Sequence, residues 1–198
     1  MRFASGLSEH PVAAHAVGEL AGQVLESVGP EPDLAAVFVS PAHAGALEDI
    51  AGAVQALLSP TALIGCAACS VTGTSREVED GPAISLWAGR VGPALGAELA
   101  LVGDEVVGWP DPLPFEPQAV VLLADPFSFA AEQFFAWLGR RHPGLPVVGG
   151  NASAAAGPGG NRLAVGARVV SSGAVAALLG PGARLTPVVS QGCRPVGR

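Results

Sequence analysis

LAAVFVSP, residues Leu34 to Pro41, and AVVLLADP, residues Ala119 to Pro126, decide how this chain is read. Each is a continuous apolar run of strand length that ends in a polar residue and a proline. Apolar side chains at every position, rather than at alternate ones, are expected where a strand is covered on both faces. The Ser-Pro and Asp-Pro endings put a capping side chain ahead of a proline at the first helical position. A helix should therefore open at the carboxyl end of each strand.

Periodicity supports that reading. Leu47, Ile50, Val54 and Leu57 recur at helical spacing after the first run, as far as Ser59-Pro60. Phe127, Ala131, Phe134, Phe135 and Leu138 do so after the second, before Pro143-Gly144. An earlier helix is marked by Val12, Ala16, Leu20, Val24 and Val28, between Pro11 and Gly29-Pro30. Shorter strand candidates are 62–65, 83–87, 98–102, 146–148, 163–170, 174–179 and 185–189. Asp80-Gly81 and Ser172-Gly173 read as hairpin turns.

The two runs also head matching series. LAAVFVSP leads through a helix to ALIGCAACS, and AVVLLADP leads through a helix to PVVGGNAS. Pro126 follows Pro41 by 85 positions, and Gly149 follows Gly65 by 84. Register held this closely over about 30 positions points to an internal duplication. The expected fold is α/β, a mixed-sheet domain built from two similar strand-helix-strand-hairpin halves.

Composition narrows the function. The 198 residues suffice for one domain. A formal charge of -7 argues against a nucleic-acid partner, which needs a basic face. All ten basic residues are arginine. Without lysine there is no Schiff base and no P-loop, and without tyrosine a common general acid is missing. No apolar stretch approaches the roughly 18 residues that span a bilayer, and the start lacks the apolar core of a secretory signal. A cytoplasmic chain without membrane partners is expected.

Cys66 and Cys69 form C-x-x-C, the spacing of a redox pair or of half a zinc site. Cys193 and the histidines at positions 10, 15, 43 and 142 offer no second paired spacing, so no metal site is expected. The segment reads more simply as a buried strand running into a turn, because cysteine often packs as a small hydrophobe. No G-x-S-x-G elbow or phosphate loop is present, and catalysis is not expected. The candidate ligand-binding residues gather at the strand ends: Ser40, His43, Gly65, Cys66, Asp125, Gly149, Gly150 and Asn151. Ser40 and Asn151 would supply hydrogen bonds, Asp125 would accept an ammonium, and the glycines would admit a ligand to the backbone.

SEHPVAAHAVGELAGQVLE, DLAAVFVSP, LIGCAACSV, VVLLADPFSF, PVVGGNAS and the closing VVSQGCRPVG, taken in order, resemble the N-terminal domain of the FIST family. The resemblance implies a sensory domain of signal-transduction proteins that binds small ligands such as amino acids. It places a FIST N domain over 1–190. In 191–198 it places the start of the connection to a C-terminal FIST domain, with a downstream signalling partner beyond. It also implies an alternative, a haem-based nitric-oxide sensor. The residues place no haem ligand apart from His43, so no cofactor is expected. A thiol-redox protein using Cys66 and Cys69 is the other alternative.

Overall fold

The computed structural model describes residues 2–188. Strand β1 (Phe3–Ser8) leads into α1 (Ala13–Ser27), β2 (Leu34–Val39), α2 (Leu47–Leu58) and β3 (Ala62–Ala67). A hairpin of β4 (Val71–Gly73) and β5 (Arg76–Val78) follows, then β6 (Ile84–Gly89), β7 (Ala94–Val102) and β8 (Glu105–Val107). The second half holds β9 (Ala119–Ala124), α3 (Ala131–Arg141) and β10 (Val147–Asn151). It closes with the hairpin β11 (Leu163–Val165) and β12 (Arg168–Val170), and then β13 (Ala174–Leu179).

Two mixed sheets result. One runs β1-β6-β2-β3-β11-β12 and the other β10-β9-β13-β7-β8. Their shared plan bears out the duplication. β2 lies parallel to β3 and antiparallel to β6, which lies antiparallel to β1. In the same way β9 lies parallel to β10 and antiparallel to β13, which lies antiparallel to β7. The halves differ between their first two equivalent strands. The first half inserts α1 there; the second inserts β8 and a loop whose Trp109, Leu113 and Phe115 pack against the same core as α3.

Side-chain alternation stacks the layers. Ala35, Val37 and Val39 of β2 face α1 and α2, while Leu34 turns to the other face. Val120, Leu122 and Ala124 of β9 face α3, while Ala119 and Leu123 turn inward. The inward faces meet in a core that includes Ile64, Cys66, Val175 and Ala177. The order is thus helices, sheet, sheet, helix. Both central strands are covered on both sides, which is why their sequences carry no polar alternation.

Several local expectations need correction. Leu58, not Leu57, faces the core of α2; Leu57 is exposed. Helix α3 starts only at Ala131, so Phe127 lies outside it and is exposed. Asp80-Gly81 and Ser172-Gly173 are not hairpin turns, since each connects strands that do not pair with one another. Residues 185–188 form no strand, and residue 189 lies outside the described part. The connection expected in 191–198 lies outside it as well.

Candidate functional site

Gly65 and Gly149 sit within strands β3 and β10, not in the turns that follow them. They occupy equivalent places, opposite Val37 and Leu122 on the neighbouring parallel strand. A Cβ on Gly65 would lie 2.3 Å from the Val37 carbonyl oxygen, and one on Gly149 would lie 1.7 Å from that of Leu122. Gly149 also has φ +155, a conformation that side chains disfavour. Close approach between strands explains both glycines. Gly150 differs, because nothing lies within 4 Å of where its Cβ would be.

The polar residues at the strand ends turn inward. Ser40 is fully buried and exchanges hydrogen bonds with Ala83: its N–H donates to the Ala83 carbonyl, and its Oγ accepts from the Ala83 N–H, both at 2.9 Å. It makes no side-chain bond to the short 3-10 helix Pro41–Ala46. Asp125 stands at the equivalent place and is also fully buried. Its N–H donates to Gly173, while its carboxylate accepts from Asn161 Nδ2 at 2.9 Å and from the Ser128 hydroxyl. Asp125 caps no helix, since α3 starts after Ala130 without a side-chain cap. Each oxygen holds one of these bonds and the side chain is fully buried, so a ligand ammonium would reach it only by opening the network. His43 is buried on the 3-10 helix, with Nε2 3.2 Å from the His10 carbonyl oxygen.

Cys66 points into the core between the sheets, where burial pushes its thiol up to about 12. Such a thiol stays protonated and is a poor nucleophile. Cys69 lies in the next turn and is exposed; both thiols are free. The Cys69 N–H donates to Ser153 Oγ at 3.0 Å, and the Ser153 N–H donates to the Ala67 carbonyl at 3.2 Å. Cys69 and Ser153 are 84 positions apart, the repeat spacing, so the duplicated turns meet one another here. Among the described residues no group of three His, Cys, Asp or Glu side chains is placed to hold a metal ion.

A cavity of about 410 Å³ opens beside β10. It is lined by Leu122 and Ala124 of β9, Ala131 and Phe135 of α3 and residues 147–151, with Pro187 and Val188. Gly149, Gly150 and Asn151 of the expected site therefore come together. Ser40, His43, Gly65, Cys66 and Asp125 do not line it. A second, apolar cavity of about 290 Å³ lies among Leu34, Ile64, Trp87, Val121 and Leu179, with no histidine or cysteine in its lining. Sequence reasoning missed Ser128 and Asn161, the partners of Asp125. Neither lies on a periodic face, so only the folded loops bring them to the carboxylate.

The family model for the FIST N domain matches residues 33–198. The chain belongs to the FIST family. An uncharacterized protein of Mycobacterium tuberculosis, Rv0628c, is 36% identical over 205 residues, covering 100% of this chain and 52% of the relative. An uncharacterized protein of Mycobacterium bovis, Mb0898c, is 35% identical over the same length, with the same coverage of both chains. The chain thus spans about half the length of these curated relatives. The groove beside β10 lies wholly within the FIST N match. So do both Asp125 and its partners. Among the described residues, no helix of this FIST chain is long and apolar enough to cross a membrane.

Proposed function

We propose that this FIST N domain is a cytoplasmic ligand-binding module of signal transduction, without catalysis, whose site is the groove between α3 and β10. The observation that carries the reading is the groove itself, concave and apolar with backbone exposed along Val147–Asn151. Its ligand is a small molecule with an anionic end, such as an amino acid. The uncapped start of α3 and the peptide N–H groups along β10 attract a carboxylate, and the apolar lining takes the side chain. The ammonium goes to carbonyl oxygens on β10 or to the Asn151 side chain, since Asp125 is occupied. The polypeptide that the relatives carry in addition supplies the C-terminal FIST domain and the output partner.

A thermal-shift screen of amino acids and small carboxylates tests this. A ligand at 100 times its Kd should stabilise the fold by about 2.7 kcal/mol. Phe135→Glu puts a negative charge on an exposed wall of the groove, so it should abolish the shift and leave the unliganded midpoint nearly in place. A shift that survives this change puts the site elsewhere.

A further inference from the structure

The two halves differ in one respect that bears on partners. In the first half, the outer edge of β3 is covered by β11, with Ala164 opposite Gly65. The Ala67 N–H donates to Arg162 and the Leu63 carbonyl accepts from Gly166. Ala164 and Val169 of that hairpin lie on the core formed by Val37, Ala51 and Leu63. The counterparts of those three residues, at the repeat spacing, are Leu122, Phe135 and Val147, which line the groove. There β10 ends its sheet, and nothing among the described residues pairs with its outer edge. Ala51 is 0% exposed and its counterpart Phe135 49%, the difference between a filled seat and an open one.

We propose that the open edge of β10 is a docking site for an antiparallel β-strand of a partner polypeptide, one that sets a small apolar residue opposite Gly149. The ladder to β9 uses the peptide groups at 148, 150 and 152, which turns those of Val147, Gly149 and Asn151 outward. They match the outward groups of Leu63, Gly65 and Ala67 that hold β11. No charged side chain lies on β10 or lines the groove, so the incoming face is uncharged and apolar. The edge also lacks the lysine, proline or bulge that blocks pairing elsewhere. A second copy fits poorly: β10 paired with itself brings glycines to the seam and no side chain to fill the groove. The chain's other hairpin, β4–β5, is engaged with Leu7 and Ala83. A strand and a small anion would draw on the same outward N–H groups, so each excludes the other. The proposal stands on the filled seat in the first half and not on the ligand reading.

The probe is a synthetic peptide of residues 161–171, the chain's own β11–β12 hairpin, together with the same peptide carrying Ala164→Val. Binding is followed by fluorescence anisotropy, and amide exchange by NMR, on the full chain without added ligand. Saturable binding that slows exchange at Val147, Gly149 and Asn151 is expected. Val147→Pro removes one outward donor at the start of the strand, and Phe135→Glu charges an exposed groove wall. Each should weaken binding about tenfold or more while the far-UV circular dichroism is kept. The proposal is overturned if neither peptide saturates, or if both variants bind normally. Slow exchange of these amides in the dilute monomer would overturn it too, because the chain would then fill its own seat. So would a dimer, by sedimentation, whose dissociation exposes them.

Discussion

Cys66 makes the chemistry of one residue readable in the stability of the whole chain. Its thiol titrates at about 12 when folded, against 9.0 for an unperturbed thiol. The folded value is the higher one, so the buried thiol contributes fully below pH 9.0 and its contribution is lost as pH rises towards 12. Within that window stability should fall by about 1.4 kcal/mol per pH unit from this group. The chain has no lysine and no tyrosine, so few other groups titrate there. Urea unfolding between about pH 8 and 11 should show a steeper decline for the native chain than for Cys66→Ala; equal slopes would mean that the thiol is hydrated. Two adjacent glycines give a second residue-scale contrast. Gly149→Ala drives a Cβ into the Leu122 carbonyl and should destabilise by about 2 kcal/mol or more. Gly150→Ala meets nothing and should stay within about 0.5 kcal/mol, as measured by denaturant midpoints.

Elements of the second half are tied together through Asp125. Its carboxylate holds the turn through Ser128, which also accepts from the Gly173 N–H at 2.8 Å at the head of β13. Through Asn161 it reaches the loop between β10 and β11, where Asn161 Oδ1 accepts from the Ala155 N–H at 3.1 Å. Asn161→Ala therefore leaves a buried carboxylate oxygen and a peptide N–H without partners, and should destabilise by about 2–3 kcal/mol. Amide exchange should quicken most in 152–161 and at Gly173; a uniform change across the chain would show that the network does not organise these loops.

At the scale of the molecule, duplication supplies two sheets with one plan, and their facing sides supply the central core. The hairpin β11–β12 belongs to the second half in sequence but completes the sheet of the first. The exchange is not returned, since β4–β5 forms a separate two-stranded sheet. Two like halves thus have, among the described residues, one covered groove and one open groove. The open groove lies within the matched FIST N region, in a family whose curated relatives here are about twice as long.

The sequence by itself determined the elements with strong local signals. The two apolar runs, the helices that follow them, and the 84–85-residue repeat could be read directly, because burial on both faces and helical spacing leave marks along the chain. Gly149, Gly150 and Asn151 are also legible there, as small and polar residues closing an apolar run. The hairpin β4–β5 was less legible: its strands join through Thr74 and Ser75, both at positive φ without glycine or asparagine to announce it. Tertiary structure alone decided that Ser40 and Asp125 turn inward, that Gly65 serves strand contact, and that β11 covers the edge of β3 while nothing among the described residues pairs with that of β10. Those outcomes depend on which distant backbone group or hairpin arrives beside each residue, and a chain's local pattern does not carry that information.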